Sequence, residues 1–437
     1  MGLDTTHHAA RRRRLAERMV DGVAVIPTAP ERLRNRDTHY PYRHDSYFHY
    51  LTGFDEPEAV LVLEACAGVP TAKLFCRPKD AEREIWDGFR HGPEVACEVF
   101  GLDAAWPIGE LDARLPEMLA DRSRLFFAFG HDPTWDGRIA RALESVRQLA
   151  RSGRTAPEAI VDVRACLDAL RVTKDASEID TMRRAAEISG RAHRRAMRSV
   201  RAGMWEYELE AELLYEFRRH GAQSPAYPSI VAGGASACVL HYVSNDRQLA
   251  DGDLVLIDAG CELDGYASDI TRTFPVNGRF SVAQREIYEL VLAAQAAAVA
   301  AVVPGRHFNE PHEAAVRVLC QGLSDLGLLS GSVDDMIAEE RYKRFYMHRT
   351  SHWLGRDVHD AGPYRVGETW PVLAPGQVLT VEPGCYIRAA EDIPEKYWNI
   401  GVRIEDDALV TEAGCELITA ATPKTVAEIE AWMAGRA

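Results

Sequence analysis

Several familiar devices are missing from this chain. No G-x-G-x-x-G and no P-loop pattern occurs in its 437 residues, which argues against a nucleotide site. There is no G-x-S-x-G, and no Ser or Cys has local support as a nucleophile, so a catalytic triad finds no footing. Positive charge is short: 51 Lys and Arg against 66 Asp and Glu leave a net charge of −15, which argues against nucleic acid as a partner. Nine cysteines are scattered with no C-x-x-C pair, the usage expected of reduced thiols in a cytoplasmic protein. Long hydrophobic runs are also lacking. The longest, residues 290–303, is Ala-rich, contains Gln295 and stops at Pro304-Gly305, too short to span a bilayer. No membrane partner is expected.

The N-terminus lacks the apolar core of a signal peptide, because Arg11 to Arg14 run into Leu15-Ala16-Glu17. That arginine run reads as a solvated helix face. Met1-Gly2-Leu3-Asp4-Thr5-Thr6 matches the myristoylation pattern by letter, in a pattern short enough to arise by chance. Neither a solenoid-period repeat nor a low-complexity tract is present.

What remains is a soluble globular composition, 46% hydrophobic and 27% charged, on a chain too long for one ordinary domain. Residues 1–172 alternate short apolar runs (23–26, 59–63, 73–76, 125–128) with helical spacing over 138–150 and 158–170. They read as a small α/β domain. Residues 173–437 read as a second, α+β domain. A long helix capped by Asp175 or Ser177 runs to about residue 200, and another covers 206–220. A Pro- and Gly-marked loop follows, ending at His241. A helix begins at the capping box Ser281-Val282-Ala283-Gln284, and another spans 311–326. From Arg344 on, strands and turns dominate, clearest at 377–382, 402–405 and 408–411. The order helix–helix, strands, helix–helix, strands predicts two similar halves around one curved sheet.

The chemistry begins at LVLIDAGCELDGYASDITRTF (254–274), two β-prone stretches with Asp264-Gly265 between them. Asp258 follows one apolar run and Asp269 precedes the other, and an acid at the inner end of an apolar strand is costly unless paired. HRTSHWLGRDVHD (348–360) supplies His348, His352 and His359. LTVEPGCYI (379–387) places Glu382 after an apolar strand. In GVRIEDD (401–407), Glu405 alternates with Arg403 across Ile404. A lone buried Glu or His is usually structural. Five such groups at strand ends point to one site. Asp258, Asp269, Glu382 and Glu405 together cannot all ionise uncompensated. Two divalent cations would neutralise them and lower the pKa of a shared water toward neutrality, giving hydroxide as nucleophile. Oxygen-rich ligation with the single imidazole of His352 suits Mn, with Zn or Co compatible.

The order Asp, Asp, His, Glu, Glu at these spacings resembles the pita-bread dinuclear metallopeptidases of family M24. HYVSND (241–246), DAGCELDGYASDITRTFPVNGRFS (258–281), SHWLGRDVHD, LTVEPGCYI and GVRIEDD look most like its aminopeptidase P group. RNRDTHYPYRHDSYFHYLTGFDEPEAVL (34–61) is similar to that group's first domain. The resemblance implies a C-terminal pita-bread domain and removal of the residue before a penultimate proline from peptides. It implies that Asp258 and Asp269 chelate one metal, that His352 and Glu382 bind the other, and that Asp269 and Glu405 bridge both. Glu382 would shuttle a proton and His359 would donate to the scissile carbonyl. His241 and His348 would surround the proline, and Arg403 and Tyr386 would hold the metal ligands in place. Asp37 and Trp86 would complete a substrate pocket across a subunit boundary in a dimer or tetramer. The chain departs from the pattern at Arg349-Thr350, where Gly-Leu is typical, and at Arg356, where an apolar residue is. Both arginines are expected to face solvent or to pair with Asp357 or Asp360.

Two alternatives stand beside this reading: a dipeptide-specific prolidase, and a metal-free module of the same fold that binds peptides or proteins. A creatinase-like hydrolase does not use this ligand set. Because Glu405 is expected to bridge, Glu405→Ala should abolish turnover and loosen metal; near-normal peptidase activity with full metal content would contradict the assignment.

Overall fold

The computed structural model describes residues 5–435, so Met1 to Asp4 of the myristoylation-like hexapeptide lie outside the described residues. Two compact units divide the chain, one ending at Leu170 and the other beginning at Arg171.

The first unit is built on a six-stranded mixed sheet. Its strands run in the order Ala104–Pro107, Val69–Cys76, Val60–Cys66, Gly22–Pro27, Arg124–Phe126, Ala159–Val161. Alternation along the central strands feeds two cores, one on each face. Ala24, Ile26, Leu61 and Leu63 pack on one side, and Val23, Val25, Val60 and Val62 on the other. That double burial explains why these strands read as continuous apolar runs. Two expectations fail here. Residues 158–170 are not one helix: Ala159–Val161 joins the sheet edge and only Val163–Arg171 is helical. The arginine run is not a solvated face, because Arg11 and Arg12 are buried. Arg12 donates to the carbonyls of Leu51 (2.8 Å) and Gly101 (2.6 Å). Arg11 donates to Tyr50 O at 3.4 Å. The carbonyls of Tyr50 and Leu51 end the helix Ser46–Thr52 and lack intrahelical partners, which the guanidinium groups supply.

The second unit repeats a pattern. The antiparallel helices Ala176–Ser199 and Glu206–Arg219 precede one long hairpin, and Val282–Ala301 and Glu310–Asp325 precede another. The caps follow the sequence: Asp175 accepts from Ser177 and Glu178 N–H while Glu178 reaches back to the Asp175 N–H, and Ser281 and Gln284 do the same. One expectation was incomplete, since the tail also holds the helix Val426–Ala434, opened by the capping box Thr425-to-Glu428.

The single curved sheet is replaced by four short ones. Each hairpin is interrupted midway without losing register. In the first, Thr271 faces Asp258 on one side of the break and Ala267 faces Glu262 on the other. In the second, Asp406 faces Val381 and Arg403 faces Gly384. The first break depends on Gly260. A Cβ there would lie 1.7 Å from the Ser268 carbonyl oxygen. The second contains Pro383, which has no N–H to give a ladder. Gly260→Ala is therefore expected to destabilise the protein by about 3 kcal/mol, the upper end of overpacking costs. Urea unfolding of the variant checks this, and a curve superimposable on the wild type would contradict it.

Candidate active site

The interruptions deliver the acids. Asp258 ends the strand Leu254–Asp258, and Asp269 lies between Tyr266–Ala267 and Thr271–Pro275. Glu382 lies between Val378–Val381 and Gly384–Ile387, and Glu405 between Ile400–Arg403 and Asp406–Val410. A carboxylate at a break can turn inward without displacing a ladder bond. The hairpins are stitched together by Glu405 N–H to Thr271 O (3.1 Å) and Thr273 Oγ1 to Arg403 O (3.0 Å). The histidine stretch runs alongside the second hairpin through Thr380 N–H to His352 O (3.0 Å) and Glu382 N–H to Thr350 O (2.8 Å).

Asp269, His352 and Glu405 each offer a ligand atom, and these atoms lie within 4.8 Å of one another. His352 Nε2 is 3.4 Å from Asp269 Oδ2 and 3.5 Å from Glu382 Oε1. Its Nδ1 donates to Trp353 O at 2.9 Å, which leaves Nε2 turned toward the acids. Arg403 Nη2 pairs with Asp258 Oδ2 at 2.6 Å. Its Nη1 donates to Tyr386 Oη at 2.9 Å, and that hydroxyl meets His348 Nε2 at 2.8 Å. With His348 Nδ1 against Arg349 O (2.8 Å), the imidazole is fixed as the neutral Nδ1–H tautomer.

A cavity of about 640 Å³ is lined by all four acids together with His241, His348, His352, His359 and Arg403. Tyr386 stands behind it, bonded to His348 and Arg403. Asp37 and Trp86 belong to the first unit, where both are exposed, Trp86 to 84%. Tyr227 escaped the sequence reading. Its hydroxyl donates to Asp258 Oδ1 (2.7 Å) and contacts Asp269 as well. Its only mark in the sequence is a place in the loop between Pro225 and Pro228. Arg356 does not face solvent: it is buried over the ring of Tyr266, 4.7 Å from the centroid. Asp360 is matched by Arg171 (2.5 Å) and Lys174 (3.0 Å), and Asp357 by Arg171 (2.7 Å). Arg349 is exposed and rests on Trp370.

The electrostatics are those of a site short of positive charge. Burial pushes Asp258 above the ordinary aspartate range, against the pull of Arg403. Burial and the neighbouring acids hold Glu405 well above the ordinary range. Glu382 rises to about 7, lifted by burial and by Asp269 and Asp258 against His352 and Arg403. For His352, burial alone would lower the pKa, but the bond to Asp269 and the charges of Glu382 and Asp269 lift it to about 9. Burial and Arg403 lower His348 to about 3, so it stays neutral. Burial and the adjacent Asp258 raise Tyr227 well above the phenol range, so it remains a donor. Protons here, the one on His352 Nε2 among them, occupy places that divalent cations would fill, and the donor set that losing them would expose fits such ions.

Residues 180–412 match the model of metallopeptidase family M24, and residues 8–126 match that of the aminopeptidase P N-terminal domain. The chain is 46% identical to the Xaa-Pro aminopeptidase of Escherichia coli K12, over 97% of this chain and 96% of that one. It is 46% identical to the Haemophilus influenzae Xaa-Pro aminopeptidase, over 96% and 95%. Among solved structures, the Pseudomonas aeruginosa aminopeptidase PepP superposes with a TM-score of 0.97 at 53% identity, covering 100% of this chain and 99% of that one. Zinc-substituted E. coli aminopeptidase P in complex with product gives 0.97 at 45%, covering 100% of each.

One consequence concerns pH. In metal-stripped protein, Glu382 and His352 keep protons when folded that the unfolded chain releases at lower pH. Their contribution to folding stability should therefore fall as pH rises from about 4.5 through about 9. Bound divalent metal should remove much of that loss. Thermal melts of stripped and Mn-loaded protein at about pH 5, 7 and 9 check this, and a gap that does not widen with pH would contradict it.

Proposed function

This chain belongs to metallopeptidase family M24, and from that premise we propose that it is a Xaa-Pro aminopeptidase. It hydrolyses peptides with proline in the second position and releases the N-terminal residue. The observation that carries this reading is the cavity in which four carboxylates meet four histidines and a buried arginine, in a chain so similar over its length to enzymes of that name.

We assign Asp258 and Asp269 to one divalent cation, His352 and Glu382 to a second, and Asp269 and Glu405 to both, with Mn suited to the oxygen-rich set and Zn or Co compatible. When bound, the ions supply charge neutralisation, Lewis acidity and acidification of a water. The remaining work belongs to side chains. Glu382 takes the proton of the attacking water and delivers it to the proline nitrogen as the C–N bond breaks. His359, whose pKa is lowered chiefly by burial, donates to the oxygen on which charge develops. Neutral His348, together with His241, flanks the proline ring, whose nitrogen has no N–H to satisfy. Arg403 and Tyr386 keep Asp258 and His348 in register, and Tyr227 spaces Asp258 from Asp269.

We further propose a cytoplasmic enzyme that associates with copies of itself as a dimer or tetramer. All nine cysteines are free, and no helix among the described residues is long and apolar enough to cross a membrane. In the first unit Ile85, Trp86 and Phe89 are exposed, an apolar surface of the kind association covers. Asp37 and Trp86 would then serve a neighbouring copy's substrate.

The dipeptidase alternative is disfavoured by the first unit, which matches the aminopeptidase P N-terminal domain. Peptides of the form Xaa-Pro-Yaa are expected to be cleaved between Xaa and Pro, with loss of activity on chelation and recovery with Mn. Assay against a Gly-Pro dipeptide and longer peptides decides between the two. Turnover of the dipeptide alone would favour prolidase, and a protein that binds no divalent metal and stays inactive with Mn would favour the binding module.

A further inference from the structure

The cavity's mouth carries a cation that the proposed reaction does not use. Arg349 lines the cavity next to His348 and is exposed. Many other surface arginines are met by acids, as Arg344 by Asp392 (2.6 Å) and Arg183 by Glu416 (2.5 Å). Arg349 has no carboxylate partner among the described residues. Its guanidinium lies over the indole of Trp370, 4.6 Å from the centroid, and Arg365 lies over the same ring at 3.9 Å. Trp370 is anchored in turn, stacked on Phe308 (6.4 Å), which packs on the fully buried Trp353 (4.4 Å). Contact through the π face orients a guanidinium yet leaves its N–H edge free to bind a planar anion.

Position tells what that edge meets. If the cavity is the aminopeptidase site proposed above, the N-terminal residue lies inward and the scissile bond lies at the acids. The proline fills the space among the histidines. Chain beyond the proline can leave only through the mouth, so an exposed side chain beside His348 faces the downstream part of the peptide. An exposed guanidinium with no carboxylate partner of its own can meet a carboxylate there. Arg349 stands where the resemblance leads one to expect glycine, so this cation belongs to this chain's own residues.

We propose that Arg349 is a specificity-determining residue that binds a carboxylate just downstream of the proline. The carboxylate is either the C-terminus of a tripeptide or an acidic side chain of a longer peptide. Arg349 acts on substrate binding and takes no part in bond cleavage. The inference rests on the aminopeptidase reading, and its failure can be told from the failure of that reading.

The test compares kcat/KM for Ala-Pro-Ala with its C-terminal amide, and for Ala-Pro-Ala-Asp-amide with Ala-Pro-Ala-Asn-amide. Each pair is run on Mn-loaded wild type, Arg349→Ala and Arg349→Lys. In the wild type the charged member of at least one pair should be favoured about three- to tenfold, mainly through KM, with the preference shrinking as salt is added. Preference in the first pair assigns the terminal carboxylate, and in the second the side chain. Arg349→Ala should bring the ratio to about one, and Arg349→Lys should restore part of it. A wild-type ratio near one in both pairs, or a preference that survives Arg349→Ala, overturns the proposal while the neutral amides still report the peptidase. Failure to cleave any of the four peptides overturns the aminopeptidase reading and this inference with it.

Discussion

Uncompensated negative charge at the centre of the second unit is the constraint on which the remaining structure depends. Two adjacent residues show it. Asp406 is fully buried but matched by Arg272 (2.7 Å) and Lys424 (2.7 Å), and these cations hold its carboxyl well below the ordinary range. Glu405, one residue earlier, turns the other way into the cavity and is held well above its ordinary range by burial and by Asp269, Glu382 and Asp258. Burial is common to both. What differs is the protein's own supply of cations. The cavity receives Arg403 and the rim residue Arg349 against four carboxylates, and the shortfall is what divalent ions would supply.

The surrounding fold serves that requirement. The two interrupted hairpins meet face to face, with Thr271 Oγ1 donating to Glu405 at 2.6 Å and the Asp269 N–H donating to Asp407 Oδ2 at 3.1 Å. Gly260 lets the arms of the first hairpin cross closely enough for Asp269 to turn inward. Arg272 reaches from the first hairpin to the Glu405 carbonyl and to Asp406, locking the second against it. Helix pairs behind each hairpin supply the apolar core that keeps these short sheets in place.

Much of this was legible in the sequence. The Asp264-Gly265 turn declares itself, and both residues have the positive φ it demands (51° and 76°). Asp258 and Glu382 stand out because each follows an apolar run, Asp269 because it precedes one, Glu405 because it alternates with Arg403 across Ile404, and His352 because it lies in a histidine-rich stretch. Long helices with capping boxes at Asp175 and Ser281 were equally readable. The misses share a cause. Arg11, Arg12 and Arg356 read as surface groups because their partners, the carbonyls of Tyr50, Leu51 and Gly101 and the ring of Tyr266, are remote in sequence. Tyr227 reaches the acids from a loop without periodicity. The short sheets were read as one because unbroken register resembles continuity, and only the backbone shows where the ladders stop.

The central claim is that two cations neutralise the four acids. Anomalous diffraction from Mn-loaded crystals tests it most directly. The account predicts two peaks about 3.5–4 Å apart, both flanked by Asp269 and Glu405, with His352 beside only one. A single peak, or density away from these carboxylates, would contradict it.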